Sequence, residues 1–303
     1  MRIILSLITF ITFSFSFDYK LEPIKINDNS YYFYGKKEYF SPQNGGNISN
    51  SAFIISNNSV ILIDTGSTVE YTKQLINAVK KITNKPIKYI INTHHHPDHF
   101  LGNNAFDKSV KIFATAYTHD EIKSHGDLYI TNMAHLIKDA SYTTRLRIPT
   151  ELLNKNSMQF DGYELEFYYL NGHTEDDLVI LDKKTKTVYV SDLIFNERTL
   201  ATPHAEFKKW ITSLEFIKTL DFNILLPGHG EVEYSKDVID ENIEYLKFID
   251  NLLTTSAIEG LDVFEIINDS EVPEKFKKYA MFEEEFERTI INHYPKYERK
   301  VKK

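Results

Sequence analysis

One twelve-residue stretch constrains this chain more than any other. The segment NTHHHPDHFLGN, residues 92–103, follows the apolar run IKYII and places four histidines and one aspartate within six positions. Imidazole and carboxylate groups that directly follow a buried strand are typical of a metal site held on a rigid element. On an extended strand end, His94 and His96 point to one side and His95 to the other. The pattern predicts a metal site on this turn, with the candidate ligands His94, His96, Asp98 and His99.

The residue types present limit which metals and partners fit the chain. The sequence contains no cysteine, which excludes disulfides, thiolate ligands and cysteine nucleophiles and leaves His, Asp and Glu as ligands. Such ligands suit zinc, iron or manganese. The formal charge of -8 argues against a nucleic-acid partner. A small-molecule substrate is expected, and anionic ones stay candidates because a bound metal supplies local positive charge.

The first residues have the pattern of an export signal. Arg2 precedes an apolar run over residues 3–13, and Ser14 and Ser16 occupy the small-residue positions of a cleavage site. We therefore predict a signal peptide over residues 1–16 and an exported protein, periplasmic or secreted. No later stretch is apolar for long enough to span a bilayer, so no stable membrane insertion is expected after cleavage. A buried N-terminal strand is the alternative.

The rest of the chain alternates β-rich runs with helical patterns. Two β-rich halves with helices between them predict an α/β fold, with two sheets face to face and helices outside, although periodicity alone allows other α/β arrangements. Thr68 is expected to cap a helix that runs to about Lys81. The strands and helices predicted from pattern are SAFIIS, VILID, IKYIINT, YELEFYYL, the hairpin DLVILDKKTKTVYVSD, a helix over residues 205–220, the strand NILL, and helices beyond Glu231.

These residues resemble the metallo-β-lactamase fold superfamily. Besides the HxHxDH turn, the chain has DTG after VILI, NGH after YELEFYYL, Asp192 at the end of VYVSD, and PGHG after ILL. The resemblance covers about residues 30–232. It implies a four-layer αβ/βα sandwich with the metals at one edge, formed by residues 17–232 and followed by a helical C-terminal extension over residues 233–303.

The resemblance also implies a ligand set and a reaction. Two zinc ions per chain are expected, with iron and manganese left open. One metal takes His94, His96 and His173, the other takes Asp98, His99 and His229, and Asp192 bridges the pair. A hydroxide between the metals would attack an ester, thioester, lactone or amide carbonyl. Asp98 would also be the catalytic residue that orients the nucleophile or passes a proton.

Four further residues are candidates for supporting roles. Asp64 is either a supporting partner behind a metal ligand or a buried turn residue that satisfies backbone N–H groups. His204 and Arg198 are candidates to bind a substrate carboxylate, although His204 could instead cap the following helix. Asn47 belongs to NGGN, which lies where the family carries a mobile loop over its metals; a plain hairpin turn would look the same.

The bridging position narrows the resemblance. Metallo-β-lactamases proper commonly have Cys or Ser there, whereas this chain has Asp192. The closest resemblance is to exported zinc hydrolases linked to sulfur oxidation and to quinoprotein systems. The alternatives are a mononuclear iron dioxygenase of the persulfide dioxygenase kind, a β-lactam hydrolase, and a non-catalytic binding module on the same scaffold.

Overall fold

The computed structural model describes residues 17–301, apart from the side chain of Asp139, and the predicted signal peptide therefore lies outside it. Two sheets form the centre of the molecule. The first contains β1 (Ile24–Lys25), β2 (Ser30–Phe33), β3 (Ser51–Ile55), β4 (Val60–Ile63), β5 (Ile87–Ile91), β6 (Lys111–Ala114) and β7 (Glu151–Leu152), in that spatial order. The second contains β8 (Ser157–Phe160), β9 (Tyr163–Leu170), β10 (Asp177–Asp182), β11 (Thr187–Phe195) and β12 (Ile224–His229), in the order β12-β11-β10-β9-β8.

Strand direction changes within each sheet. In the first sheet β1 to β4 pair antiparallel, and β4 to β7 pair parallel. In the second sheet only the β11–β12 pair is parallel. The helices are α1 (Val69–Ile82), α2 (Pro97–Phe100), α3 (Ala116–Ile137), α4 (Phe207–Thr219), α5 (Asp237–Glu259), α6 (Val263–Asp269), α7 (Glu274–Lys277) and α8 (Phe282–Val301), with 3-10 turns at Leu101–Ala105 and Lys138–Ser141.

Side-chain alternation along the strands creates the layers. Ile54 of β3 and Ile180 of β10 belong to the core between the two sheets. Their neighbour Phe53 points to the opposite face, where it packs with Leu75 of α1. Val179 likewise lies on the outer face of the second sheet, under α4 and α5. Because a strand alternates its side chains between faces, each sheet buries both faces. The predicted four-layer αβ/βα sandwich is confirmed.

The C-terminal helices continue one of these cores. Leu246 of α5 and Ile290 of α8 share a hydrophobic cluster with Val190 of β11 and Trp210 of α4. The predicted C-terminal helical part is therefore present, and it covers the outer face of the second sheet. Within residues 17–301, none of these helices has the length and apolar character needed to cross a bilayer.

The pattern-based predictions differ from the structure at several strands. Thr68 caps α1 as expected, because its side chain accepts a hydrogen bond from the Tyr71 N–H. The short strands β1, β2, β6, β7 and β8 were not predicted. Strand β12 continues through Pro227 to His229 instead of ending before PGHG. It lies at the edge of its sheet, where a proline costs no central ladder hydrogen bond.

Candidate metal centre

The predicted ligands meet at one edge of the sandwich. The HHHPDH turn follows β5, and His173 follows β9. Asp192 lies within β11, and His229 is the last residue of β12. All seven predicted ligands are buried, and they form two neighbouring groups: His94, His96, His173 and Asp192 in the first, and Asp98, His99 and His229 in the second.

The backbone of the HHHPDH turn differs from the extended strand end that we expected. Strand β5 ends at Ile91, and α2 begins at Pro97, so the three consecutive histidines lie in the turn between them. Turn geometry, rather than strand alternation, brings His94 and His96 into one group. His95 is not part of that group; it belongs to another group with His204, and His96 is a member of both.

Asp192 contacts both groups. In the first group its Oδ2 lies 3.4 Å from His173 Nε2 and 3.8 Å from His94 Nε2. In the second group its Oδ1 lies 3.1 Å from His99 Nε2, and its Oδ2 lies 3.2 Å from His229 Nε2. This central position is the one expected of a bridging carboxylate.

The remaining distances define each group. His173 Nε2 lies 2.9 Å from His96 Nδ1 in the first group. In the second group Asp98 Oδ2 lies 3.5 Å from His99 Nε2 and 3.6 Å from His229 Nε2. The main chain of Asp98 is held in place because Ser49 Oγ donates a 2.7 Å hydrogen bond to its carbonyl oxygen.

Four of the candidate ligand rings have their outward nitrogen held by a hydrogen bond, and in two of them, His94 and His99, the inward Nε2 has no partner. Thr93 Oγ1 donates to Asp64, so the His94 Nδ1–H must donate to Thr93 Oγ1. The Nδ1–H of His229 donates to a carbonyl, and the Nδ1–H of His99 donates to a carboxylate. The outward contacts are His94 Nδ1 to Thr93 Oγ1 (3.1 Å), His96 Nε2 to His204 Nδ1 (2.9 Å), His99 Nδ1 to Asp64 Oδ2 (2.8 Å) and His229 Nδ1 to the Ile48 carbonyl (2.7 Å). Such partners fix the tautomer and orientation of metal-ligating histidines.

Asp64 makes the contacts that both of the roles considered for it require. Its Oδ1 accepts the backbone N–H of Thr93 at 2.9 Å, and its Oδ2 contacts His99 Nδ1. The Asp64 backbone has φ of +57°, a left-handed conformation that L-residues adopt at a cost. The surrounding hydrogen bonds hold this strained residue at the base of the HHHPDH turn.

Burial and neighbouring charges set the protonation of the site. Burial holds the pKa values of His94 and His96 well below the usual range, and it lowers the pKa of His173 to about 4. These rings are therefore neutral at pH 7, as metal ligands must be. Burial also works to lower the pKa of His99, but Asp192, Asp98 and Asp64 outweigh it and raise that pKa well above its usual value.

The donor set fits divalent metal ions. Among the described residues, His94 Nε2, His99 Nε2 and Asp192 Oδ1 are buried and have no hydrogen-bond partner. Unpaired buried polar atoms are costly, and a cation between them would satisfy all three. The absence of sulfur and the mixture of imidazole and carboxylate suit zinc, iron or manganese.

Close backbone packing supports the central carboxylate. A Cβ added to Gly228 would lie 1.9 Å from Asp192 Oδ1, so only glycine fits beside it. Asn50 ties the same segment to β3, because its side-chain amide donates to the carbonyls of Pro227 and Gly230. Asp177 holds the backbone of His173 in a similar way, because its carboxylate accepts a 3.0 Å hydrogen bond from the His173 backbone N–H. Sequence reasoning assigned no role to Asn50 or Asp177, because a sequence pattern does not show which backbone groups a side chain will reach.

A cavity of about 310 Å³ opens onto the centre. It is lined by His96, Asp98, Asp192 and His229, and also by the candidate substrate residues His204 and Arg198. Arg198 is only 2% exposed, and it is paired with Glu285 at 3.3 Å, so part of its guanidinium is already used.

The NGGN segment does not have the form of a loop over the centre. Asn47 is buried and is absent from the lining of this cavity. Its neighbours are held by hydrogen bonds, including one from Ser67 Oγ to the Gly46 carbonyl. The predicted substrate contact of Asn47 is therefore not found, because its turn is packed into the protein. Tyr39 and Phe40, which precede this turn, line the cavity instead, and no motif marked them.

An αβ/βα sandwich with two His/Asp groups at one edge defines a class of metal-binding proteins. Comparison with known families is consistent with this class. The chain belongs to the Metallo-beta-lactamase superfamily, whose family model matches residues 44–229.

Individual relatives are distant. A linear primary-alkylsulfatase of Pseudomonas is 21% identical over 272 residues, which are 76% of this chain but 51% of that protein. The chain thus spans about half the length of this relative. A metallo-beta-lactamase type 2 of Bacillus cereus is 26% identical over 191 residues, covering 61% of this chain and 68% of that protein. A metallo-beta-lactamase from Pontibacter korlensis has a similar structure, with a TM-score of 0.62 at 20% identity over 75% of this chain and 99% of that one.

Proposed function

We propose that this chain is a binuclear zinc-dependent hydrolase that cleaves an ester, thioester, lactone or amide. One observation carries the proposal: Asp192 contacts histidines of both His/Asp groups and lines the cavity. In this assignment His94, His96 and His173 hold one ion, and Asp98, His99 and His229 hold the other. Asp192 contacts both.

The chemistry follows from the donor set. When bound, the zinc pair supplies a water-derived nucleophile at neutral pH and polarises the attacked carbonyl. Asp98 lines the cavity, so its carboxylate can orient the nucleophile or carry a proton. Asp64 and Thr93 keep the ring nitrogens of His99 and His94 aimed inward.

We further propose that the chain is related in role to the exported hydrolases linked to sulfur oxidation and to quinoprotein systems. The sequence features behind this proposal are the segments NGGNISNSAFIISNNSVILIDTG, GHTEDDLVI and SDLIFNERTLATPHA. Asp192 at the bridging position counts against a dedicated β-lactamase, although relatives with that name are 26% identical. β-Lactams therefore belong among the substrates to be tested.

Metal analysis of protein purified from its native compartment is the first test. Two zinc ions per chain support the proposal. One iron per chain, with uptake of oxygen in the presence of a persulfide, would contradict the hydrolase and support the persulfide dioxygenase instead.

A substrate panel is the second test. It should contain a thioester, a lactone, an aryl ester, a β-lactam and, because of the alkylsulfatase relative, a primary alkyl sulfate. Turnover of a carbonyl substrate that disappears in Asp192→Asn would support the proposal. Turnover of the alkyl sulfate alone would contradict a carbonyl substrate and show that the protein hydrolyses sulfate esters. A protein that binds panel members without turning any over would be a binding module.

A further inference from the structure

The last helix of the chain forms part of the wall of the metal-site cavity. Glu285 and Arg288, both on α8, line the same cavity as Asp98 and Asp192. The helix therefore contributes charged groups to the space that a substrate would occupy. Arg198, from the segment after β11, lies beside them.

The charges on this wall do not balance. Arg198 Nη2 lies 3.3 Å from Glu285 Oε1, and Arg288 Nη1 lies 3.6 Å from Glu285 Oε2. One carboxylate between two guanidinium groups leaves one positive charge without a partner. The chain as a whole carries a formal charge of -8, so this local excess is opposite in sign to the molecule. A negatively charged ligand group would neutralise it.

Arg288 is the member of this trio that can reach a ligand. Arg198 and Glu285 are only 2% and 1% exposed, whereas the Arg288 side chain is 35% exposed. Its guanidinium carbon lies 4.4 Å from the ring centroid of Tyr39, and this contact fixes its position at the cavity. Within the described part of the chain, no hydrogen bond to the Arg288 guanidinium is found, so its donors are available to bind an oxyanion in a bidentate manner.

The rest of the cavity is largely apolar. Tyr129, Met133 and Leu136 of α3 line it, together with Phe40. A ligand that fills this space needs an apolar body in addition to its charged group.

We propose that the substrate carries an oxyanion, carboxylate or sulfonate, away from its scissile bond, joined to an apolar segment, and that Arg288 binds this oxyanion. This inference rests on the proposed hydrolase function, because the metal centre marks where the bond would break. It assigns a specificity role to a residue of the C-terminal helical part.

The test uses the metal-loaded protein and matched 4-nitrophenyl esters of equal acyl length, ending in a carboxylate, a sulfonate or the carboxylate's methyl ester. Arg288→Gln should lower kcat/KM for the charged esters by about 10- to 100-fold, since hydrogen bonds to charged groups are worth about 1.5–3 kcal/mol. The neutral ester should change by less than about 3-fold, within the usual scatter of surface substitutions. Arg288→Lys should recover part of the loss. The ratio between the two charged esters identifies which oxyanion fits.

Arg299→Gln is the matched control, because it removes the same charge from an exposed position on the same helix. This variant should leave kcat/KM unchanged for all three esters. An equal loss for charged and neutral esters in Arg288→Gln, with a lower Tm, would overturn the inference and make Arg288 structural. An unchanged ratio of kcat/KM between the charged and the neutral esters in Arg288→Gln would also overturn the inference.

A binding measurement separates this inference from the proposed function. Calorimetry would compare the dicarboxylic product acid with its monomethyl ester. Wild type should prefer the dicarboxylate, and Arg288→Gln should lose that preference. If no ester is hydrolysed but this preference is seen, the carbonyl hydrolase is contradicted while Arg288 keeps its role. Hydrolysis without the preference would contradict only the role of Arg288.

Discussion

His96 Nε2 and His204 Nδ1 lie 2.9 Å apart, and this contact links a metal-ligand candidate to the segment after β11. Nδ1 of His96 faces His173, so Nε2 is the outward atom that a supporting partner would hold. The segment that carries His204 is itself fixed to α8, because His293 Nε2 donates to the Thr202 carbonyl at 2.6 Å. The geometry thus favours a positioning role for His204 over a direct contact with substrate.

We predict that His204→Ala weakens binding of the metal assigned to His94, His96 and His173 by about 10- to 100-fold, as is typical when the partner of a ligating histidine is lost. Competition with a chromophoric chelator would measure this change. His135→Ala is the control, because His135 is an exposed histidine of α3. Equal metal affinity in both variants would show that His96 needs no support from His204.

The two adjacent histidines of the turn should behave differently. His96→Ala should remove one metal and abolish hydrolysis, since His96 belongs to the group around Asp192. His95→Ala should leave the metal content nearly unchanged, because His95 groups only with His96 and His204. Elemental analysis of both purified variants checks this. Similar metal loss in the two would mean that His95 also binds an ion of the centre.

Asp192→Asn should cost at least the second metal and reduce activity by orders of magnitude. Two dications repel each other strongly at short distance, and Asp192 is the residue that contacts both groups. The amide keeps the side-chain shape and removes the charge. Metal content and Tm should be measured on one sample. If the variant keeps both metals and full turnover, or keeps both metals and shows only a lower Tm, the bridging assignment is contradicted. Asp192 would then be an ordinary buried strand residue.

Acid should destabilise the protein partly through His293, which is far from the ligands in sequence. Burial is the largest influence on the pKa of His293, and it lowers this pKa. Lys296 lowers it further, whereas the hydrogen bond to the Thr202 carbonyl and the charge of Glu206 raise it. The unfolded chain therefore binds this proton more readily, so stability is lost as pH falls below about 6.5. His293→Gln should show a smaller decrease in Tm between pH 7 and pH 5 than wild type. An equal decrease would exclude His293 as a contributor.

Residues 1–16 should be absent from mature protein, as we propose from the N-terminal pattern. Cleavage after Ser16 would keep the contacts of Phe17 and Tyr19, whose backbone groups bond to Gln74. Intact-mass measurement on natively secreted material should give a chain that begins near Phe17. A retained Met1 in a cytosolic fraction would contradict export.

The ligand groups could be predicted because each ligand follows, ends or lies within a recognisable strand, although β11 continues past Asp192 to Phe195. HxHxDH, NGH, VYVSD and PGHG all lie next to apolar β-rich runs, and the fold brings strand ends to a common edge. The exact backbone of the turn could not be predicted, since β5 ends at Ile91, well before His94. A periodic pattern indicates that a strand exists more reliably than where it stops.

The substrate side of the cavity could not be predicted from pattern. Tyr39 and Arg288 are separated by most of the chain, yet the guanidinium carbon of Arg288 lies 4.4 Å from the Tyr39 ring centroid. No local period encodes such a contact. Arg198 illustrates the converse case, because its sequence position near His204 indicated a substrate contact whereas its buried pairing partner Glu285 comes from α8.

The hydrophobic cluster shared by Val190, Trp210, Leu246 and Ile290 has a consequence for how the molecule unfolds. Because this cluster joins the second sheet to the C-terminal helices, neither can lose its packing without exposing the other to water. The sandwich and the helices should therefore unfold in one cooperative transition. Metal binding at the sheet edge would then raise the melting temperature of α8 together with that of the sheets.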